Sequence, residues 1–305
     1  MSTATYTAAA SVEEALAALA GGARPVAGGT DLVVGARNGK AALPESLVAI
    51  HGVSELRGIR EQDGGLVLGA LATHADIVAS EQVCERYTAL ADASAIVGSH
   101  ATRSTGTIGG NVMNASPAME TGGPLVCFDA VARFRSSGGA REVPLAELFA
   151  GPGKTTASAD ELLTEVALPA PAAGTGSCYA RLEYRRQMEI AIVGATAVVT
   201  LDGGTVTDAR IAITALAPTI HRVAEAESAL TGTDAGADAV TAAANAAAAA
   251  SQPITDVRGS AEYRRAMAAV IARRAITTAL ARARGERFPI PASPALHGAV
   301  NGGAA

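Results

Sequence analysis

Tryptophan is absent from the 305-residue chain, cysteine occurs three times, and aromatic residues make up 3% of it, which leaves little material for a deep aromatic substrate pocket. Cys84, Cys127 and Cys178 are far apart and odd in number, against a disulfide framework. An iron–sulfur centre usually takes four thiolates, and zinc sites cluster Cys and His at short spacings that do not occur here. Any redox metal must therefore sit on another chain. No apolar run approaches the roughly 20 residues that span a bilayer, and no Lys or Arg precedes the apolar stretch within residues 1–14 as a secretory leader requires. A soluble, cytoplasmic protein without a membrane span is expected. Excess positive charge is missing too: the formal net charge is -5, so there is no electrostatic footprint for nucleic acid or an anionic membrane surface.

What is present is 49% hydrophobic residues, much of it alanine, in a chain long enough for two ordinary domains. Ser11 and Glu14 stand at capping-box spacing before an Ala/Leu run that Gly21-Gly22 stops, which predicts a first helix. A short strand at 24–27 then runs into Gly28-Gly29-Thr30-Asp31 and a helix start at Leu32. Strands are predicted at 46–50 and as a hairpin of 56–59 with 66–68, and helices at 73–78 and 86–97. The mixture reads as α+β without regular βαβ units. Pro, Ala and Gly at 169–174 mark a linker. Beyond it a hairpin of 190–201 with 206–214, helices at 222–230 and 263–284, and a packed Ala-rich helix over 235–250 form a second α+β unit. The tail after Pro289 has little that could pack and is expected to fray.

The chemistry gathers in two glycine-rich segments. In Pro25-Val26-Ala27-Gly28-Gly29-Thr30-Asp31-Leu32, two residues without Cβ let consecutive N–H groups converge on an anion at a helix N-terminus, as a pyrophosphate would need. Thr105-Gly106-Thr107-Ile108-Gly109-Gly110-Asn111, followed by Asn114-Ala115-Ser116-Pro117, adds hydroxyls and amides for phosphate or flavin edges. A Gly-Gly pair alone marks a tight turn, and neither segment is the fingerprint G-x-G-x-x-G. Gly153-Lys154-Thr155 is no P-loop, because the required earlier glycine is Leu148.

Together, however, Val26 to Leu32, Thr107 to Asn111 with Asn114 to Pro117, and Gly151-Pro152-Gly153-Lys154-Thr155 before Glu161-Leu162-Leu163-Thr164-Glu165 resemble the FAD-binding subunits of the xanthine dehydrogenase and carbon monoxide dehydrogenase family of molybdenum hydroxylases. Tyr184-Arg185-Arg186 with Glu189-Ile190-Ala191, and Ser260 to Arg265, extend the resemblance to about Arg284. It implies an α+β chain: a two-part PCMH-type, vanillyl-alcohol-oxidase-like FAD-binding domain over 1–170 and a smaller α+β domain over 175–287; composition leaves 288–305 as a disordered tail. It implies that Pro25, Val26, Ala27, Gly28, Gly29, Thr30, Asp31 and Leu32 wrap the pyrophosphate, and that Thr107, Ile108, Gly109, Gly110 and Asn111 approach phosphates and flavin from the other side. Val97, Leu162 and Arg181 fall at positions that meet the cofactor in relatives, and Glu120 replaces the Asp usual three residues after Ser-Pro. Where some vanillyl-alcohol-type relatives attach flavin through His, this chain has Thr30, so FAD is expected to be non-covalent.

By the same resemblance, substrate is hydroxylated at a molybdopterin on a large subunit, electrons cross [2Fe–2S] clusters on a small subunit, and FAD on this chain passes them to NAD, quinone or another acceptor, in a dimer of heterotrimers. The substrate class, whether purine, N-heteroaromatic, aldehyde or carbon monoxide, belongs to the large subunit. Thr30-Asp31, where many carbon monoxide dehydrogenases have His-Ser, leans toward the xanthine-type branch. His74 and His100 are the nearest candidates for proton chemistry and receive no role, nor do Arg185 and Arg186. A free-standing vanillyl-alcohol-type oxidase would need its own substrate pocket, and a docking module that has lost its cofactor would not need the intact glycine loops.

Overall fold

The computed structural model describes residues 5–39 and 42–294. Its first unit is a three-stranded parallel sheet, ordered β1 (Thr5–Ala8), β3 (Ser46–Ala49), β2 (Arg24–Val26), with α1 (Val12–Ala20) and α2 (Thr30–Arg37) in the crossovers. Locally this is a βαβαβ unit, contrary to the sequence expectation. β1 escaped notice because all four of its residues are exposed and it carries no apolar alternation. α1 forms as expected. The Ser11 hydroxyl accepts from the Glu14 amide, Glu14 Oε2 accepts from the Ala10 amide, and Val12, Ala15, Leu16 and Leu19 face the sheet.

A five-stranded antiparallel sheet follows, ordered β4 (Ile59–Gln62), β5 (Gly65–Gly69), β10 (Leu162–Leu168), β6 (Val131–Ser136), β7 (Gly139–Pro144). The first hairpin strand starts at Ile59, where it was expected to end. Leu56 is instead the buried end of a 3-10 turn, and Gly58, with φ +85°, turns the chain between them. Helices α3 (His74–Ala79), α4 (Glu81–Arg86), α5 (Thr88–Ala95), α6 (His100–Thr105), α7 (Ile108–Asn114) and α8 (Gly122–Cys127) lie between β5 and β6 in the chain, and α7 packs against β5 and β10. The helix expected over 86–97 breaks at Tyr87, whose φ −127°, ψ 48° is not helical and whose ring packs edge-on against Phe128 at 5.0 Å. Short α9 (Leu145–Leu148), β8 (Phe149–Gly151) and β9 (Lys154–Thr155) lead back to β10.

Residues 169–174 connect to a second, antiparallel sheet ordered β11 (Thr175–Leu182), β12 (Val193–Asp202), β13 (Thr205–Thr214), β14 (His221–Arg222), followed by α10 (Ala224–Leu230), α11 (Ala237–Ala249) and α12 (Ala261–Ala283). Side chains alternate across β11. Cys178 and Ala180 join Ile271, Ala275 and Ile276 in a core under α12, whereas Tyr179 joins Val198, Ala212 and Ile220 in the core of the first domain. α12 lies so close that a Cβ on Gly176 would stand 2.2 Å from both Ala279 O and Ala283 N. That closeness is why this helix reads Ala, Ala, Ala along its packed face.

The tail does not fray where it is described. Ala292 and Ser293 are buried; the Ala292 amide donates to Asp92 Oδ1 at 2.9 Å, and Ser293 Oγ accepts from the Arg181 amide and donates to the Arg181 carbonyl, at 3.0 and 2.9 Å. Small side chains that lack any periodic pattern dock by hydrogen bonding, a signal hydropathy does not carry. Residues 295–305 lie outside the described residues. No helix among the described residues is long and apolar enough to cross a membrane.

Candidate functional site

The strand β2 delivers Ala27-Gly28-Gly29 to the start of α2, with Gly29 in the left-handed region at φ +69°. None of the Gly28, Gly29 and Thr30 amides has an acceptor among the described residues. Three open donors at a helix N-terminus, where the peptide dipoles add partial positive charge, can receive an anion by their backbone alone. The absence of a side chain at Gly28 is obligatory: a Cβ there would lie 2.0 Å from Thr105 O, so the first loop rests directly on the entry to the second.

The second loop works differently. Thr107 caps α7, and its four following amides are all occupied: Ile108 N–H by Ala72 O, Gly109 N–H by Ala70 O, Gly110 N–H by the Thr107 hydroxyl, Asn111 N–H by Thr107 O. The glycine at 109 lets α7 press onto the chain after β5, where a Cβ would come within 2.7 Å of Ala70 O and 2.8 Å of Ala70 Cβ. Anything Thr107 to Asn111 offers a ligand therefore comes from side chains, carbonyls and exposed Gly110 surface. Asn111 Oδ1 already accepts from Thr121 Oγ1 at 2.6 Å.

Gly106 lies at the seam between the loops, its Cβ position 3.6 Å from Thr30 Oγ1 and 3.5 Å from His74 Cδ2. His74 is 1% exposed and its Nδ1 has no hydrogen-bond partner. Burial first, and the Arg103 charge second, hold its imidazole at a pKa of about 4. Sequence reasoning gave His74 no role, and only its burial under the seam marks it out. Because the unfolded chain takes up this proton near 6.5 and the folded chain only near 4, folding stability should fall by about 3 kcal/mol as pH drops through that window. A His74→Gln chain, followed by thermal melts from pH 7 to 4, should lose correspondingly less stability on acidification; equal acid sensitivity in both chains would contradict this account.

Val97 is half-buried, and its carbonyl accepts from Arg103 Nη1 at 3.0 Å; the next residue, Gly98, accepts the Met188 amide at 2.9 Å. The 184–190 segment is thereby laid beside α6, and Arg185 is engaged with Glu189 at 3.3 Å. Leu162 is 3% exposed in β10, so its side chain is core and only its backbone is available to a ligand. Arg181 is fully buried: Nη1 meets Glu120 Oε1 at 2.6 Å and Nε meets Glu183 Oε2 at 3.0 Å. Burial pushes the Glu120 carboxyl up and the guanidinium opposes it. Glu120 and Arg181 thus meet each other, as a pin between the first domain and β11. The Gly151–Thr155 segment comes to the second loop through the Gly153 amide, which donates to Ala115 O at 3.0 Å.

All three cysteines are free, the two buried thiols, Cys127 and Cys178, are pushed well up by burial, and no metal-ligating cluster exists among the described residues. A cleft of about 460 Å³ lined by Val12, Arg133, Arg135 and Arg141 shares no residue with the glycine loops, and its arginines are paired with carboxylates.

Residues 2–171 match the model of the FAD binding domain in molybdopterin dehydrogenase, and residues 178–279 that of the CO dehydrogenase flavoprotein C-terminal domain. The chain is 36% identical over 241 residues to the carbon monoxide dehydrogenase medium chain of Hydrogenophaga pseudoflava, covering 79% of this chain and 84% of that one. It is 31% identical over 228 residues to the xanthine dehydrogenase FAD-binding subunit of Escherichia coli O157:H7, covering 73% and 78%. The solved carbon monoxide dehydrogenase from Hydrogenophaga pseudoflava, which lacks the Mo-pyranopterin moiety of its molybdenum cofactor, superposes with TM-score 0.87 at 37% identity, covering 91% of this chain and 97% of that one.

Proposed function

Since the chain belongs to the family of FAD-binding subunits of the molybdenum hydroxylases, the oxidoreductases that include carbon monoxide and xanthine dehydrogenases, we propose that it holds FAD non-covalently between its two glycine loops and relays electrons from a small [2Fe–2S] subunit to an external acceptor such as NAD or a quinone. Oxidation of the organic substrate, or of carbon monoxide, falls to a large molybdopterin subunit, with the three chains in a dimer of heterotrimers.

The observation that carries this reading is the cradle at Gly28: open amides at Gly28, Gly29 and Thr30, and a backbone approach that no side chain could share. It fits a dinucleotide pyrophosphate on the chemistry of its donors. When bound, FAD supplies the redox chemistry, and the protein supplies binding, orientation and electrostatics. The Gly28–Thr30 amides would hold the pyrophosphate, while Thr107, Asn111 and the Gly110 surface would face the cofactor from α7. Glu120 and Arg181 keep β11 and the 184–190 segment against the site through the Arg181–Glu120 and Arg181–Glu183 pairs. With Thr30 in the first loop and no histidine there, the loop offers no imidazole for covalent attachment. The thiolates needed for iron–sulfur clusters are also missing from this chain, which supports their assignment to a partner.

The purified full chain should carry a flavin spectrum, release all of its flavin on acid precipitation, and oxidise no purine, aldehyde or N-heteroaromatic alone. Flavin that stays with the precipitated protein would overturn the non-covalent assignment, and substrate turnover by the isolated chain would favour a free-standing oxidase.

A further inference from the structure

We propose that Arg103 is a cofactor-binding residue, supplying the positive charge against which the diphosphate of the flavin dinucleotide is held; this rests on the FAD reading above. Arg103 lies on α6, the short helix that connects Val97-Gly98 to Thr105, and Thr105 is the residue on which Gly28 rests. The helix is therefore built into both walls of the site.

Its partnering is incomplete in an unusual way. Nη1 donates to Val97 O at 3.0 Å, yet among the described residues no carboxylate stands within ion-pair reach of this half-buried guanidinium. Arg133, Arg181, Arg222, Arg264 and Arg282, which the fold also draws inward, each face a carboxylate. Burial and the nearby Arg181 charge both work against the Arg103 cation, and Arg103 in turn works against protonation of His74. A half-buried cation without a counter-ion can be completed by an anionic ligand. Its neighbourhood is set for one: the three open amides of Gly28 to Thr30 contribute partial positive charge but no full charge, and His74 beneath the seam stays neutral. A planar guanidinium is the side chain best suited to two phosphate oxygens at once.

The test uses the full chain stripped of flavin, with ADP as the probe of the diphosphate position and riboflavin, which has no phosphate, as the probe of the ring position, each by calorimetric titration. Arg103→Met should weaken ADP and FAD by roughly 10- to 100-fold, as loss of one charge-assisted contact does, and leave riboflavin binding unchanged. Arg103→Lys, which keeps the charge and guards against misfolding of the first variant, should recover part of the ADP affinity, and added salt should weaken ADP more in the unaltered chain than in Arg103→Met. Unchanged ADP affinity in both variants, or a loss confined to riboflavin, would overturn the proposal and leave FAD binding itself standing. Failure of the unaltered chain to bind either FAD or ADP would instead take down the FAD reading and this proposal with it.

Discussion

Gly28→Val will leave the chain folded and without flavin. A Cβ at position 28 would sit 2.0 Å from Thr105 O and 2.7 Å from the Thr105 carbonyl carbon, and both are backbone atoms that cannot swing aside as a side-chain tip could. The chain must then separate the first loop from the end of α6, which moves the Gly28–Thr30 amides away from the second loop. Those amides are the part of the cradle that is still open for an anion, because the second loop spends its own on Ala70, Ala72 and Thr107. The loop is half-exposed and α2 buries none of its residues, so the core has little stake in the rearrangement. The prediction is loss of the visible flavin absorbance, about a hundredfold or greater weakening of FAD in titrations, and a melting temperature of the flavin-free chain within a few degrees of the unaltered one. Gly35→Ala, in the same helix, is the control: nothing lies within 4 Å of its Cβ position, and alanine in a helix interior adds about 0.5–1 kcal/mol over glycine. It should bind flavin normally. A Gly28→Val chain that kept its flavin would place the pyrophosphate elsewhere.

The parts of this structure legible in the sequence are those written in local chemistry. Capping at Ser11, alanine propensity over 237–249 and the amphipathic run into α12 each specify their element from within it. The glycine loops were visible for the same reason, since a missing Cβ is a local fact. Their division of labour was not: the Gly109 amide is spent on the Ala70 carbonyl, some forty residues earlier in the chain, whereas the Gly28 and Gly29 amides meet no such acceptor among the described residues. Burial hid the rest. The family resemblance puts Arg181 at a cofactor contact, and the fold gives it Glu120 and Glu183 as partners, while Arg103, which sequence reasoning passed over, has no carboxylate within ion-pair reach among the described residues. Ala292 and Ser293 dock on residues about 200 and 112 positions earlier, a separation no pattern along the chain can encode.

Asp92→Ala should produce the largest loss of stability of any single substitution considered. Asp92 is completely buried on α5, with Oδ2 2.5 Å from Arg282 Nη1 and Oδ1 3.1 Å from Arg282 Nη2, and it also accepts the amides of Ala292 and Tyr179. One carboxylate therefore joins the first domain to β11, to α12 and to the docked tail. Burial alone pushes the Asp92 carboxyl up, so the pair is held by the density of donors around it. Removing one partner strands the other charge, which costs about 3–5 kcal/mol, whereas removing both with packing preserved is close to neutral. Asp92→Ala should accordingly lower the melting temperature by on the order of 10 °C, and Arg282→Met similarly, while the double variant should recover much of the loss. Flavin retention is the second readout. Tyr179 lies two residues before Arg181 on the same face of β11, so loosening the Asp92 junction should release FAD more readily from the folded protein. Additive losses in the double variant would mean that the two residues stabilise the chain independently, and that the contact between the domains is carried by the apolar face around Tyr179, Val198 and Ala212 instead.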